Sequence, residues 1–331
     1  MANRSLRWGL LGTGRIARKF ALESLAAGLD VASAAARDPE RARAFAAETG
    51  VPRYHGSYES LLADAGVDAV YISLPNHLHA EWSVRAARAG KHILCEKPGA
   101  LDGVECSRVL GAVRRAGVFY MEGFMYRCHP LWELARALIE DGRIGDITRM
   151  ESAFCYDMGA APDQNRQRLD FAGGALMDVG CYCLSFSRMM AGCEPVSAEA
   201  RSEYASGMGP RSGVDEATSV RLEFSSGVTA AFDCAIRRPT RNFAVVHGNR
   251  GRLEIPSPWH PDADRAEVRL VLPGEEDEFY FTGDGLSLFA REAKLVNEYL
   301  DDGECPAMDW KDSLAQAQAL SALRKSAGHV T

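Results

Sequence analysis

The sequence lacks the features that define several protein classes. None of its apolar runs approaches the ~20 residues that a membrane-spanning helix needs. Positive charge is not in excess, since 38 Lys and Arg residues oppose 45 Asp and Glu residues. A basic surface is what non-specific nucleic-acid binding relies on. Internal repeats and low-complexity segments are missing too, so we expect a globular protein that binds neither nucleic acid nor membranes.

Cysteine pairs with metal-binding spacing are also missing. The nine cysteines are scattered along the chain, and the closest pair is Cys181 and Cys183. An odd number of scattered cysteines predicts reduced thiols in a cytoplasmic protein, and we predict no metal site. The first residues lead directly into an apolar run, so we expect no signal peptide.

The 331 residues are enough for two domains. Up to residue 123, buried strands alternate with helical patterns, which predicts a Rossmann-type, doubly wound parallel sheet. Residues 124–331 contain strands with alternating apolar and polar residues, which predicts an α+β domain with a large, mostly antiparallel, open-faced sheet. We expect mobile loops at Arg201–Val214 and Pro256–Arg265. The overall fold class is therefore α/β.

The most informative stretch is Arg7–Ala17, with the sequence RWGLLGTGRIA. An apolar strand breaks at Gly12-Thr13-Gly14, and a helical pattern follows. Glycine allows the sharp turn, and the free N–H groups of the helix N-terminus favour an anion. This arrangement is typical of the pyrophosphate cradle of a dinucleotide-binding unit, with Ala17 at the position of the usual third glycine.

The end of the second strand bears on the choice of cofactor. An acidic residue there binds the ribose of NAD, whereas an arginine accommodates the 2′-phosphate of NADP. Here the strand ends in Ala36-Arg37-Asp38. Arg37 favours NADP, although an Arg–Asp pair that opens the next helix is the simpler structural explanation.

Polar residues also follow the next two buried strands that the sequence predicts along the chain. Pro75 and Asn76 end one of them, and a carboxyl-end position places them near the cofactor. His77 and His79 follow, and we interpret both as capping or packing residues. The next strand ends in Glu96-Lys97-Pro98, where an ammonium can face a substrate oxygen and the proline bond can be cis. The simpler alternative is a surface lysine in a loop.

A third pattern lies in the second domain, where Gly173 and Gly174 precede Asp178 and Tyr182. If this stretch is helical, the acid and the phenol are four residues apart and share one face. They are then a plausible proton-transfer pair. The alternative is a helix whose aromatic residue packs on the sheet.

These motifs together resemble the glucose–fructose oxidoreductase/inositol dehydrogenase/MocA (Gfo/Idh/MocA) family from end to end. Gly12-Thr-Gly14, Cys95-Glu-Lys-Pro98 and Gly173…Asp178-x-Gly-x-Tyr182 occur in the family order. Ala35-Ala-Arg37-Asp38 and Met121–Arg127 carry a narrower resemblance to the subgroup of dimeric dihydrodiol dehydrogenases and xylose-type aldose dehydrogenases.

The resemblance implies a set of site residues. Tyr182 would be the catalytic acid–base, Lys97 its electrostatic partner, and Asp178 an orienting residue or substrate contact. The implied cofactor contacts are Gly12, Thr13, Gly14, Arg15, Ile16, Arg37, Ser73, Leu74, Pro75, Asn76, His79, Glu96, Lys97, Arg127 and Arg168. The implied substrate contacts are Lys97, Phe154, Tyr156, Asn165, Asp178 and Tyr182. Asn165 and Arg168 resemble an Asn-x-Arg motif, but here the stretch reads Asn-Arg-Gln-Arg and is followed by two glycines, one fewer than the family often has.

The implied activity is reversible hydride transfer between NADP, or NAD, and a carbinol carbon of a sugar or cyclic diol. An ammonium about 4 Å from a phenol contributes about 4 kcal/mol at an effective dielectric of ~20, enough to make Tyr182 a competent base. A trans-dihydrodiol dehydrogenase or keto-sugar reductase is the second possibility, favoured by an aromatic pocket around Phe124, Phe154 and Tyr156. An NAD-dependent glycosidase or a dinucleotide sensor is the third. An open apolar sheet face would favour a homodimer.

Overall fold

The computed structural model describes residues 5–159 and 165–329. The chain forms two compact units, each built from two segments. The first contains the described residues up to Cys128 together with Leu286–Leu314, and the second contains those of His129–Gly285 and Ala315–Thr331. No helix within the described residues is long and apolar enough to cross a membrane.

The first unit is a parallel sheet of six strands in the order β3-β2-β1-β4-β5-β6. Its strands are β1 Arg7–Leu11, β2 Asp30–Ala35, β3 Arg53–His55, β4 Ala69–Ile72, β5 His92–Glu96 and β6 Tyr120–Gly123. The connecting helices are α1 Arg15–Ala26, α2 Pro39–Thr49, α3 Tyr58–Leu62, α4 Asn76–Arg88 and α5 Gly103–Ala116. The strand order reverses between β1 and β4, where a doubly wound sheet binds its ligand.

The first unit does not end at residue 123. Helix α8, Leu288–Glu298, returns from late in the chain and packs on α1. The ring of Phe20 stacks on Tyr71 at 3.9 Å between centroids, and Phe289 of α8 meets both rings edge-on at 6.5 Å. This compact unit therefore extends past the predicted boundary at residue 123 and includes α8, whose Phe289 packs against rings of α1 and β4.

The second unit is an eight-stranded sheet in the order β14-β13-β12-β11-β7-β10-β9-β8. Its strands are β7 Ile147–Cys155, β8 Pro195–Tyr204, β9 Asp215–Phe224, β10 Thr229–Ala235, β11 Phe243–Gly248, β12 Arg252–Ile255, β13 Ala266–Val271 and β14 Glu278–Thr282. Within the described residues of this sheet, only β7 and β10 pair in parallel. Helices α6 Leu131–Glu140, α7 Cys181–Ala191 and α9 Trp310–Ser326 complete the helical part of the chain. The two sheets confirm the predicted fold class.

The open face of this sheet is polar, which corrects the expected apolar face. On β9, Ser219, Arg221 and Glu223 are exposed, while the residues between them are buried. Neighbouring strands continue the pattern, with Glu199, Arg201, Glu203 and Asp233 lining a shallow cavity of about 660 Å³. Exposed apolar side chains lie at the far edge, where Phe279 and Phe281 are 53% and 43% exposed.

The two segments predicted to be mobile contain ordered structure. Arg201–Tyr204 belongs to β8, and only the residues after it form turns. In the second segment Trp259 is 1% exposed, and its indole N–H donates to the Ala153 carbonyl at 2.8 Å. A buried, hydrogen-bonded tryptophan anchors that segment to β7.

Candidate active site

The turn after β1 has the geometry of a phosphate cradle. Gly12 has φ +111°, and its N–H donates to the Ala35 carbonyl at 3.1 Å. A Cβ at Gly12 would lie 3.1 Å from both the carbonyl oxygen and Oγ of Ser73. Gly14 caps α1, and no described atom lies within 4 Å of where its Cβ would be. A backbone approach is therefore open at the start of a helix whose first turn has no acidic side chain.

The predicted arginine after β2 is exposed beside a second arginine. The positive charge of Arg37 acts on the Tyr58 hydroxyl. Burial raises the pKa of that hydroxyl, and the positive charges of Arg37 and Arg41 oppose the rise. Asp38 caps α2 by accepting from the Glu40 N–H at 2.9 Å, so Arg41 lies one turn into the helix. Arg41 was not predicted, although its spacing from Arg37 was available in the sequence.

The loop after β5, which carries Lys97, is held by three side chains. Tyr71 donates a hydrogen bond to Glu96. His79 Nδ1 lies 2.8 Å from the Pro98 carbonyl, and Glu122 Oε1 accepts from the Gly99 N–H at 2.7 Å. The Lys97–Pro98 bond is cis, as its position suggested. The backbone on both sides of Lys97 is thus tied to neighbouring strands and helices.

His79 also joins this loop to the loop after β4. Its Nε2 lies 2.7 Å from the Leu74 carbonyl, and the side chain is 1% exposed. Burial lowers the pKa of His79 to about 4. The packing role expected for this histidine is therefore the one the structure shows, and its ring supports the two loops from inside. Helix α4 begins at Asn76, directly after this loop.

The other residues of the first unit that were predicted to contact the cofactor or to line the aromatic pocket differ from one another in burial and in their partners. Thr13 and Ile16 are half-buried and Arg15 is exposed, all at the β1–α1 turn. Arg127 is buried and pairs with Asp312 at 2.6 Å. Phe124 is 1% exposed and packs on Tyr126 at 6.3 Å between ring centroids. Arg127 thus stabilises the structure around α9, and Phe124 belongs to the core.

In the second unit, Asp178 lies in a π-helical segment, Leu176–Gly180, that runs directly into α7. Its Oδ2 accepts from the Tyr156 hydroxyl at 2.5 Å and lies 2.8 Å from Arg166 Nε. Widened π turns are frequent at functional sites. Tyr156 was a predicted site residue, whereas Arg166 was missed.

The predicted Arg168 lies two residues after Arg166. Its guanidinium pairs with Asp170 at 2.5 Å and lies 3.9 Å from the Phe171 ring centroid. Asn165 is exposed at the start of a 3-10 turn. The departure from the family pattern noted in the sequence falls on this same segment.

The paired glycines make this arrangement possible. A Cβ at Gly173 would lie 2.3 Å from the Arg166 carbonyl oxygen, and one at Gly174 would lie 2.0 Å from Asp215 Oδ1. Gly174 N–H donates to the Arg166 carbonyl at 2.8 Å. Both positions therefore require glycine so that the backbone of Arg166 approaches the start of the π-helical segment.

Tyr182, which is 4% exposed, stands among aromatic side chains. Its ring meets Phe154 edge-on at 5.2 Å between centroids and Trp259 at 6.0 Å. Phe154 and Trp259 stack at 5.6 Å. Trp259 was missed because it lies in a segment that the sequence pattern assigned to a loop.

Comparison with known proteins decides the family. Residues 6–124 match the GFO/IDH/MocA oxidoreductase family with an NAD-binding Rossmann fold, and residues 132–254 match the GFO/IDH/MocA C-terminal domain. The chain belongs to the GFO/IDH/MocA family. This confirms the resemblance drawn from the motifs and makes the chain an enzyme of the oxidoreductase class.

Individual members of the GFO/IDH/MocA family align along almost their whole length. The D-xylose 1-dehydrogenase (NADP(+)) 2 of Haloferax volcanii is 36% identical over 324 residues, which is 97% of each chain. The trans-1,2-dihydrobenzene-1,2-diol dehydrogenase of Mus musculus is 33% identical over 344 residues, covering 98% of this chain and 97% of the mouse protein. The crystal structure of KijD10, a 3-ketoreductase from Actinomadura kijaniata in complex with NADP and TDP-benzene, superposes with a TM-score of 0.87 at 30% identity over 98% of each chain.

Proposed function

We propose that this chain is an NADP-dependent oxidoreductase that acts on a carbinol or carbonyl carbon of an aldose, a pyranose or a related cyclic polyol. The observation that carries the proposal is the cluster of Tyr156, Arg166 and Asp178 next to the aromatic residues around Tyr182. Hydrogen-bonding groups suit the hydroxyls of a sugar, and an aromatic ring suits the apolar face of a sugar ring. The related xylose dehydrogenase acts on such a substrate.

The dinucleotide would be held by the first unit. The backbone at Gly12 and Gly14 and the N-terminus of α1 fit a pyrophosphate, since a Cβ at Gly14 would point into open space. Arg37 and Arg41 fit a 2′-phosphate, because guanidinium groups bind phosphate in a bidentate manner. When bound, NADP supplies the nicotinamide that accepts or returns a hydride.

The chain's own residues transfer the proton of the substrate hydroxyl. In the oxidative direction Tyr182 takes the proton of the substrate hydroxyl, and in the reductive direction it returns that proton. A free phenol has a pKa near ~10 and is a poor base at neutral pH, so we assign Lys97 as the ammonium that lowers it. Asp178, held by Tyr156 and Arg166, orients the substrate hydroxyls.

A second candidate is a trans-dihydrodiol dehydrogenase or keto-sugar reductase. The buried rings of Phe154 and Trp259 favour it, because they make the surroundings of Tyr182 apolar. The mouse relative acts on such a diol, and the related crystal structure is of a 3-ketoreductase. A glycosidase that uses NAD without net turnover, or a sensor, would leave the NADPH concentration unchanged.

We also propose that the chain forms a homodimer through the open face of its eight-stranded sheet. Charges of both signs, such as Glu199, Arg201, Arg221 and Asp233, permit the face to be complementary to itself across a two-fold axis. The exposed Phe279 and Phe281 supply apolar area at its edge.

The deciding assay follows NADPH absorbance with purified protein and a panel of aldoses, inositols, cyclic diols and keto-sugars, repeated with NAD. Turnover of an aldose with NADP supports the first candidate, and turnover of diols or keto-sugars alone supports the second. NADP binding without any net change in NADPH would contradict both.

A further inference from the structure

Asp215 is a buried carboxylate at the start of β9, and it lies behind the segment that carries Asp178. The residue is 1% exposed. Its Oδ2 accepts from the Leu176 N–H at 2.8 Å and from Thr218 Oγ at 2.6 Å. Burying a carboxylate costs several kcal/mol unless it is well paired. Asp215 therefore holds the first residue of the π-helical segment from outside the segment.

Gly174 joins Asp215 to Asp178 through the backbone. Its φ is +110°, and a Cβ there would lie 2.0 Å from Asp215 Oδ1. The Asp178 N–H donates to the Gly174 carbonyl at 2.9 Å. Asp215 is thus packed against the same turn that ends at Asp178. A displacement of the Asp215 carboxylate would therefore shift the backbone of that turn.

The other oxygen of Asp215 faces His329, near the end of the chain. His329 Nε2 lies 3.8 Å from Asp215 Oδ1, and the two side chains are 7% and 2% exposed. The same nitrogen is 3.1 Å from the Tyr204 hydroxyl, which donates to the Ala327 carbonyl at 3.2 Å.

The charged and titratable groups facing His329 come from three elements: Asp215 on β9, Tyr204 on β8 and Arg324 on α9. Burial lowers the pKa of His329, Asp215 opposes this, and Arg324 adds to it. His329 therefore responds to acid less readily than an exposed histidine.

We propose that Asp215 is a positioning residue for the reaction and that His329 acts through Asp215 to hold it in place. The inference rests on the function proposed above, which assigns Asp178 and Tyr182 to the site. Neither residue touches the substrate. Asp215 sets where the π-helical segment begins, and a misplacement of ~1 Å in a catalytic group can cost about 100-fold in rate.

The test uses the full chain and the variants Asp215→Asn, His329→Asn and the double variant. Asp215→Asn keeps the shape but removes the charge that holds Leu176, so kcat should fall about 10- to 100-fold. The KM for the substrate and the NADP dissociation constant should change much less. His329→Asn should lower kcat several-fold and shift the acid limb of its pH profile, and it should add nothing in the Asp215→Asn background. Asp141→Asn, at the exposed end of α6, is the matched control.

Hydrogen exchange of the peptide spanning 172–184 supplies a readout that needs no substrate. We expect faster exchange of this peptide in Asp215→Asn and His329→Asn than in the wild type or Asp141→Asn. Unchanged exchange, unchanged kcat, or independent effects of the two variants would overturn the inference. Faster exchange in an enzyme that turns over no panel substrate would instead count against the proposed function.

Discussion

Lys97 shows how much of the proposed chemistry depends on one charge. The residue follows Glu96 and precedes Pro98, and neighbouring side chains tie down its loop on both sides. A charge that stays in place acts on a neighbouring group without the entropy cost of ordering a flexible side chain. The catalytic role proposed for Lys97 therefore depends on its ammonium group and on the ordered loop that carries it.

Lys97→Met removes that ammonium while keeping a long side chain. We expect kcat to fall by about a thousandfold, because about 4 kcal/mol of stabilisation of the phenolate is lost. The NADP dissociation constant, measured by fluorescence, should change little. Lys294→Met, on the exposed side of α8, is the control. Near-normal turnover of Lys97→Met would refute the assignment.

Glu292 is a second residue whose charge state matters. It is fully buried on α8, and its carboxyl oxygens have no hydrogen-bond partner among the described residues. Burial raises its pKa well above the ordinary value of 4.5, and the charges of Glu96 and Glu23 raise it further. Glu292 is therefore neutral over a pH range in which an unfolded chain would ionise it.

This predicts that Glu292 lowers stability as the pH rises. Above about pH 4.5 the unfolded state releases a proton that the folded state retains, so the free energy of unfolding falls as pH increases. Glu292→Gln keeps a neutral side chain of the same shape. Its melting temperature should exceed that of the wild type at about pH 8 and approach it near pH 4. A lower melting temperature at pH 8 would show that the carboxylate form is needed.

At the scale of one element, the start of α2 is expected to select the cofactor. Arg37→Ala should weaken NADP binding about 10- to 150-fold, because an Arg–phosphate contact is worth about 1.5–3 kcal/mol. Arg41→Ala should have a similar effect, and NAD binding should change little in either variant. Arg43→Ala is the control, since Arg43 pairs with Glu40 on the same helix. Equal losses for NADP and NAD would remove both arginines from the phosphate site.

The segment before the paired glycines contains two arginines, Arg166 and Arg168, that allow a matched comparison. Arg166→Ala should lower kcat/KM at least tenfold, because Asp178 loses its ion pair with Arg166, which lies 2.8 Å away. Arg168→Ala should change it less than threefold, because Arg168 pairs with the exposed Asp170. A larger loss in Arg168→Ala than in Arg166→Ala would contradict this expectation and would support the cofactor contact that the Asn-x-Arg motif implies for Arg168.

On the scale of the whole molecule, the proposed dimer depends on the open sheet face. Sedimentation should give twice the monomer mass, since a stable interface needs about 1,200–2,000 Å² of buried surface and this face is large. Phe279→Asp should shift the protein to monomer by placing a charge in the interface. Val104→Asp, which changes the 80% exposed residue of α5, is the control. A wild-type monomer at all concentrations would refute the proposal.

Local patterns predicted the elements well where one side of the element is buried. The helices α2 and α5 show this, because their N-caps Asp38 and Asp102 stand in the sequence directly before the first helical residue. Strands β12, β13 and β14 are harder to predict, because they have only four to six residues and depend on pairing with their neighbours in the sheet.

By itself the sequence determined the two sheets, the family and the glycine turn after β1, and it proposed Lys97, Asp178 and Tyr182 as site residues. These inferences depend on residue type and on short spacings. Only the tertiary structure decided that α8 belongs to the first unit, that Arg166 contacts Asp178, and that Asp215 and His329 lie behind the π-helical segment. Such contacts join residues that are far apart in the chain. Local sequence patterns reflect interactions between nearby residues, so they do not specify which distant side chain packs against a given position.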